Sequence, residues 1–202
     1  MPDETRARVA VVTDSAATIP AALVQEYSIG IVPYELLWDG QAYLDGQGLT
    51  PTEFYQRFRQ SDTYPTTSQP TLASFVKVYT QAVQRADAII SIHVAETLTT
   101  AIQVARRAAE HLSPTPVRII DSNTGAASQV FVVLAAARAA KVGASLEEVV
   151  SVAEACTGRV GMYFTIPTLK HLRRGGRIGQ AAALLGSRLG IQPILSLVEG
   201  QV

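Results

Sequence analysis

Residues 87–111 read DAIISIHVAETLTTAIQVARRAAEH, and the change of rhythm inside that stretch decides the fold. DAIISIH is apolar almost throughout, as a strand buried on both faces must be. After a short polar turn, apolar residues return at helical spacing over 98–111. The same alternation recurs outward in both directions. Toward the N-terminus, residues 71–85 predict a helix with Leu72, Phe75, Val76 and Tyr79 on one stripe. Residues 29–34 predict a strand, 20–27 a short helix, and 8–13 (RVAVVT) another strand. Toward the C-terminus, residues 117–121 (VRIID) predict a strand and 125–141 a helix. The capping box Ser145-Leu146-Glu147-Glu148 opens a helix over 145–156, and residues 159–166 read as the last strand of the series.

Between the second strand and the 71–85 helix the rhythm breaks. Residues 38–49 hold three glycines and no helical period, which reads as a loop or hairpin. Thr50-Pro51-Thr52-Glu53 is a capping box with proline at the first helical position, opening a helix to residue 60. Residues 61–70 read as a loop. The expected fold class is therefore α/β, a parallel-sheet N-terminal domain over residues 1–166 with helices on both faces. Residues 167–202 read as the start of an α+β second domain that this sequence does not complete, with a basic turn between two short helices and then a strand and half a hairpin at Glu199-Gly200. In parallel sheets, ligands sit at the carboxyl ends of the strands. That rule selects the loops beginning at Asp14-Ser15, after Tyr34, at His93 and at Asp121-Ser122.

Composition narrows the function. The chain of 202 residues is 48% hydrophobic and 17% charged, enough to bury a full core. Seventeen basic and seventeen acidic residues leave no net charge, which argues against nucleic acid and against adsorption to an acidic membrane surface. The most apolar segment, residues 125–142, is interrupted by Ser128, Gln129 and Arg138 and is too short to span a bilayer. Residues 1–8 run into a strand without a signal-peptide stretch, and the lone Cys156 fits a reducing compartment, so the expectation is a soluble cytoplasmic protein. His93, His111 and His171 match no metal spacing and no G-x-G-x-x-G occurs, so neither a metal nor a cofactor is expected.

Four groups of residues stand out. Pro65-Thr66-Thr67-Ser68-Gln69-Pro70-Thr71 sets hydroxyls between two prolines before a helix start, an arrangement suited to an anion. Taken alone it reads more readily as an ordinary turn capped by Thr71. His93-Val94-Ala95-Glu96-Thr97-Leu98-Thr99-Thr100 brings further hydroxyls to a strand end, and also reads as an N-cap above a packed histidine. Asp14-Ser15 and Asp121-Ser122 repeat one dipeptide, and a serine nucleophile there would need His93 as its base. Leu172-Arg173-Arg174-Gly175-Gly176-Arg177-Ile178 puts three arginines around a glycine turn, suited to phosphate or an acidic partner, or simply a solvated basic turn.

Together these stretches resemble the DegV family. The likeness is carried by Val12-Thr13-Asp14-Ser15, Val32-Pro33-Tyr34-Glu35, Tyr43-Leu44-Asp45-Gly46, Thr66-Thr67-Ser68-Gln69-Pro70, Ile120-Asp121-Ser122, the arginine–glycine turn and Ile191-Gln192-Pro193-Ile194-Leu195. The resemblance implies a non-catalytic lipid-binding protein that holds a long-chain fatty acid in an apolar tunnel between two domains. It implies presentation of the carboxylate to a separate ATP-dependent fatty-acid kinase subunit. Thr67 and Thr99, with Thr66 and Ser68, would hold that carboxylate, Asp14, Ser15, His93 and Ser122 would support them, and Arg173, Arg174 and Arg177 would meet the kinase. The family tends to have Ser-Ser-Gly-Leu-Ser-Gly where this chain has Ala95-Glu96-Thr97-Leu98-Thr99-Thr100, so Thr99 keeps a hydroxyl while Glu96 brings a carboxylate near the headgroup. Members similar to this chain continue for about eighty residues, the scale of a second domain, which normally supply an arginine, a histidine and the far tunnel wall. The rival readings are a hydrolase or phosphotransferase using the Ser/Thr loops, and an interaction module without lipid.

Overall fold

A computed structural model describes residues 7–184 and 192–202. The start of the N-terminal run, the end of the second short helix in the 167–190 segment and Ile191 lie outside the described residues. The centre is a parallel sheet of four strands: β1 (Ala7–Asp14), β2 (Gly30–Val32), β6 (Ala86–His93) and β7 (Val117–Asp121), in the order β2-β1-β6-β7. Period-two alternation sorts its side chains to two faces. Val9, Val11, Ile90, Ile92 and Ile120 meet α5 (Ala126–Lys141) and α6 (Leu146–Thr157). Ala10, Val12, Val32 and Ile89 meet α3 (Leu72–Val83) and α4 (Ala101–Glu110). Burying an isoleucine such as Ile89, Ile90 or Ile92 in full contributes about 1.5–3 kcal/mol each. The α/β class with helices on both faces is as expected from the alternation.

A second layer sits beyond the end of β2. β3 (Glu35–Trp38), β4 (Gln41–Leu44) and β5 (Thr66–Ser68) form an antiparallel sheet in the order β4-β3-β5. Asp39 and Gly40 both have positive φ (52° and 75°), the signature of a tight primed turn, so residues 38–49 hold a hairpin. α2 (Pro51–Gln60) begins with the capping box at Thr50 and Glu53 and lays Phe54 and Phe58 against Trp38, with ring centroids 5.4 and 6.3 Å away. The short helix α1 (Ala21–Glu26) follows a 3-10 turn at Ser15–Ala17.

Two segments differ from the sequence reading. Residues 61–70 are not all loop, because Thr66–Ser68 pairs with β3 as β5. A three-residue run of hydroxyl side chains has no hydrophobic alternation, so nothing local marks it as a strand. The run 159–166 does not extend the parallel sheet. Its strand β8 (Met162–Phe164) pairs antiparallel with β9 (Leu195–Leu197) in a sheet of its own. Tyr163 is 79% exposed, a position incompatible with a strand covered on both faces. Beyond β9, Val198 and Gln201 exchange two backbone hydrogen bonds of 2.9 Å across Glu199-Gly200, the turn read from the sequence. α7 (Lys170–Arg174) precedes the glycine turn. No helix among the described residues is long and apolar enough to cross a membrane.

Candidate functional site

The carboxyl ends of β1 and β6 carry a sealed polar cluster. Asp14 and His93 have no solvent access, and His93 Nδ1 lies 2.9 Å from Asp14 Oδ2. His93 Nε2 lies 2.7 Å from Ser91 Oγ, which accepts from the Tyr79 hydroxyl at 2.9 Å. Phase explains the grouping: residues 91 and 93 share the face of β6 that meets α3, where Phe75 and Tyr79 are buried. The line Ser91–His93–Asp14 has the order of a hydrolase triad, yet Ser91 is inaccessible and already bonded to Tyr79. The two serines that the sequence placed near His93 are engaged elsewhere. Ser15 Oγ accepts the Tyr34 N–H at 3.0 Å, and Ser122 Oγ donates to the Thr124 carbonyl at 3.2 Å. Among the described residues His93 bonds to neither, so a Ser15 or Ser122 nucleophile with His93 as base is not assembled.

The open part of the site lies where β2 passes into β3. Tyr34 is positioned by its N–H on Ser15 and by its carbonyl, which accepts the Asp45 N–H at 2.9 Å. Its hydroxyl donates to Thr99 Oγ1 at 3.0 Å. Burial, and then the negative charge of Asp14, push the phenol far above its ordinary range, against the lowering influence of Thr99 and Arg177. Tyr34 is thus held as a protonated hydrogen-bond donor. It borders a cavity of about 320 Å³ walled by Leu36, Leu44, Phe54 and Tyr55, with Thr67 on the same wall. Thr67 lies opposite Leu36 in register, and both face this cavity. Glu35 and Asp45 stand at its border as well. Thr66 and Ser68 point to the other side of the strand and are not among the residues lining it.

The loop after β6 is fixed from several directions. Thr97 Oγ1 donates to the Gly200 carbonyl, tying the loop to the turn beyond β9. Gly200 has φ +73°, and a Cβ there would fall 2.4 Å from Thr97 Oγ1, so both backbone and space call for glycine. Glu96, which stands where the family pattern has a small polar residue, pairs with Arg106 on α4 at 3.1 Å. Its N–H is held by Asp121 at 3.2 Å.

The three arginines go three ways. Arg177 Nε donates to the Leu98 carbonyl at 3.1 Å, inside the Thr99 loop. Arg174 lies 4.2 Å over the Tyr64 ring. Tyr64 stacks on His171, bonds its Nδ1 through the hydroxyl, and so links α7 to Phe58 of α2. Arg173 is exposed and makes no ion pair among the described residues. Sequence reasoning gave no site role to Tyr34, Ser91, Tyr79 and Gln129. The available signals were Ser91 inside an apolar strand and Gln129 inside the most apolar helix, since a polar residue there requires a buried partner.

Fold and site together define an α/β protein with a sealed polar cluster at its strand ends and an apolar cavity where β2 passes into β3. A family model described as "Uncharacterised protein, DegV family" matches residues 8–202, and the chain belongs to the DegV family. A DegV domain-containing protein of Streptomyces coelicolor is 35% identical over 195 residues, 96% of this chain and 69% of the relative. Among solved structures, a DegV family protein of Thermus thermophilus described by its fatty acid binding superposes with a TM-score of 0.88 at 36% identity, covering 96% of this chain and 69% of that one. DegV of Bacillus subtilis, described as a fatty acid binding protein, superposes with a TM-score of 0.86 at 31% identity, covering 96% and 70%.

Proposed function

We propose that the chain binds a long-chain fatty acid, with the acyl chain in the apolar cavity beside α2 and the carboxylate on the hydroxyls of Thr67 and Thr99, Tyr34 holding Thr99 from behind. The observation that carries this reading is that the Tyr34 hydroxyl donates to Thr99, which leaves the Thr99 hydrogen for a ligand, while Tyr34 and Thr67 line one cavity. Similar proteins described as fatty acid binding support it. The physics agrees: each buried methylene contributes about 0.8 kcal/mol, and a few donors suffice to orient one carboxylate. Thr66 and Ser68 take a lesser part, on the opposite face of β5, and Asp14, Ser15, His93 and Ser122 support the loops from beneath.

In the same proposal the protein performs no chemistry itself and presents the carboxylate to a separate ATP-dependent kinase subunit. Arg173 is the arginine best placed for that encounter, because Arg174 and Arg177 are engaged with Tyr64 and Leu98. Residues 1–166 hold the headgroup, and residues from 167 onward open the unit that covers the lipid. Native mass spectrometry of the purified protein, followed by lipid analysis after denaturation, tests the reading. One fatty acid per chain is the expected result. A chain that is empty and takes up no added fatty acid refutes it.

A further inference from the structure

A single line of hydrogen bonds crosses the interior from α3 to the end of β1, through Tyr79, Ser91, His93 and Asp14, all without solvent access. Donor counting sets its direction. The Tyr79 hydroxyl gives its hydrogen to Ser91. Among the described residues the Ser91 hydrogen has no other acceptor than His93 Nε2, so Nε2 accepts and Nδ1 carries the proton toward Asp14. This is the neutral Nδ1–H imidazole, assigned from the hydrogen-bond network.

Asp14 takes three more donors. Oδ2 accepts the Val94 N–H at 3.1 Å, and Oδ1 accepts the Ala16 N–H at 3.2 Å and Gln129 Nε2 at 3.4 Å. The Gln129 amide has only one workable orientation. Thr13 Oγ1 donates to the Ile92 carbonyl at 2.6 Å, so it must accept from Gln129 Nε2 at 3.0 Å. A buried carboxylate with four donors is satisfied as an anion. Two of those donors belong to the backbone of the loops at issue. Val94 leads into the loop that carries Thr99. Ala16 follows Ser15, which holds the Tyr34 N–H, and the Tyr34 hydroxyl closes the circuit on Thr99.

We infer that Asp14 and the Nδ1–H form of His93 are the positioning pair of the acyl-carboxylate site: from beneath, they set the spacing of the loops after β1 and β6 and so hold Tyr34 against Thr99. The inference rests on the acyl-binding reading above and assigns the pair no contact with ligand. Asp14→Asn keeps the shape but turns one acceptor into a donor. Its amide then faces the N–H groups of Val94 and His93, or those of Ala16 and Gln129. An amide behind an imidazole also favours the other tautomer. Tyr79→Phe removes only the far end of the line and keeps the test decisive if Asp14→Asn does not fold.

The experiment is nitrogen-15 NMR of His93 in the wild-type chain, combined with equilibrium binding of oleate and thermal melting for wild type, Asp14→Asn and Tyr79→Phe. The expected result is an Nδ1–H signature in the wild type. Tyr79→Phe is expected to lose oleate affinity by about three- to tenfold with a changed His93 signature, and Asp14→Asn to lose more. An Nε2–H signature in the wild type, or variants that melt earlier yet bind oleate as the wild type does, overturns the positioning role while acyl binding stands. A wild-type chain that binds no oleate removes the acyl reading and this role with it.

Discussion

The parallel sheet's carboxyl edge and the antiparallel layer beside it use the same residue types to opposite ends. At the sheet edge Thr13, Asp14, Ser91 and His93 are buried and bonded to one another, to neighbouring backbone or to Tyr79 and Gln129. In the antiparallel layer Thr67 is exposed on a cavity wall, and its hydroxyl has no hydrogen-bond partner among the described residues. A hydroxyl with all its bonds made holds structure in place, whereas one left free against an apolar wall is available to a ligand. Burial, not residue identity, separates the two roles.

Four measurements break or sharpen that contrast. Ile90→Ala strikes the sheet, where the side chain is wholly buried between β1, β7 and the α5–α6 face, and should cost about 2–5 kcal/mol in urea denaturation. A loss below about 1 kcal/mol, the range of a well-tolerated swap, would show that the sheet is not the rigid member of the pair. Thr67→Ala strikes the layer. It should lower fatty-acid affinity by about ten- to a hundredfold, the worth of a hydrogen bond to a charged group. The melting transition should stay within about 0.5 kcal/mol of wild type. Unchanged affinity removes Thr67 from the site.

Ser145→Ala, at the start of α6 behind the sheet, should cost about 1 kcal/mol through the lost cap. Its reciprocal partner Glu148 has its carboxyl held below the usual range by the Ser145 N–H and then by the Ser145 side chain. A carboxylate depressed by folding stabilises the native state above its ordinary range and loses that contribution as pH falls through its folded value. The hydrogen-exchange protection of the first turn of α6, taken relative to the intrinsic exchange rate at each pH, should therefore fall on acidification in the wild type, and that pH effect should shrink in Ser145→Ala. A pH response identical in both chains removes the capping box as its source. The smallest effect on the fold is expected from Arg173→Glu, within about 0.5 kcal/mol in stability. Oleate affinity should hold while phosphorylation of bound acid by a fatty-acid kinase falls, and full turnover refutes docking through Arg173.

Much of this architecture was legible before any coordinates. Apolar runs such as AIISI at 88–92 and helical stripes such as Leu72, Phe75 and Tyr79 mark elements whose burial is dictated locally by period. The capping boxes at Thr50 and Ser145 marked their helix starts. Illegible were the partners. Residues 159–166 carry a strand's composition, but nothing in the run says that β8 pairs with β9 rather than with β7. Thr66–Ser68 becomes a strand only because the edge of β3 is there to receive it. Tyr34 was visible as part of a motif, whereas its bond to Thr99, 65 positions away, was not.

The sequence by itself determined the α/β class, the strand ends where polar residues gather and the family, because periodicity, caps and motif order are properties of neighbours along the chain. The tertiary structure alone decided which hydroxyls are sealed and which are free. Burial and hydrogen-bond satisfaction depend on atoms brought together by packing, and Asp14 meets His93 across 79 positions with no local signal that they will touch.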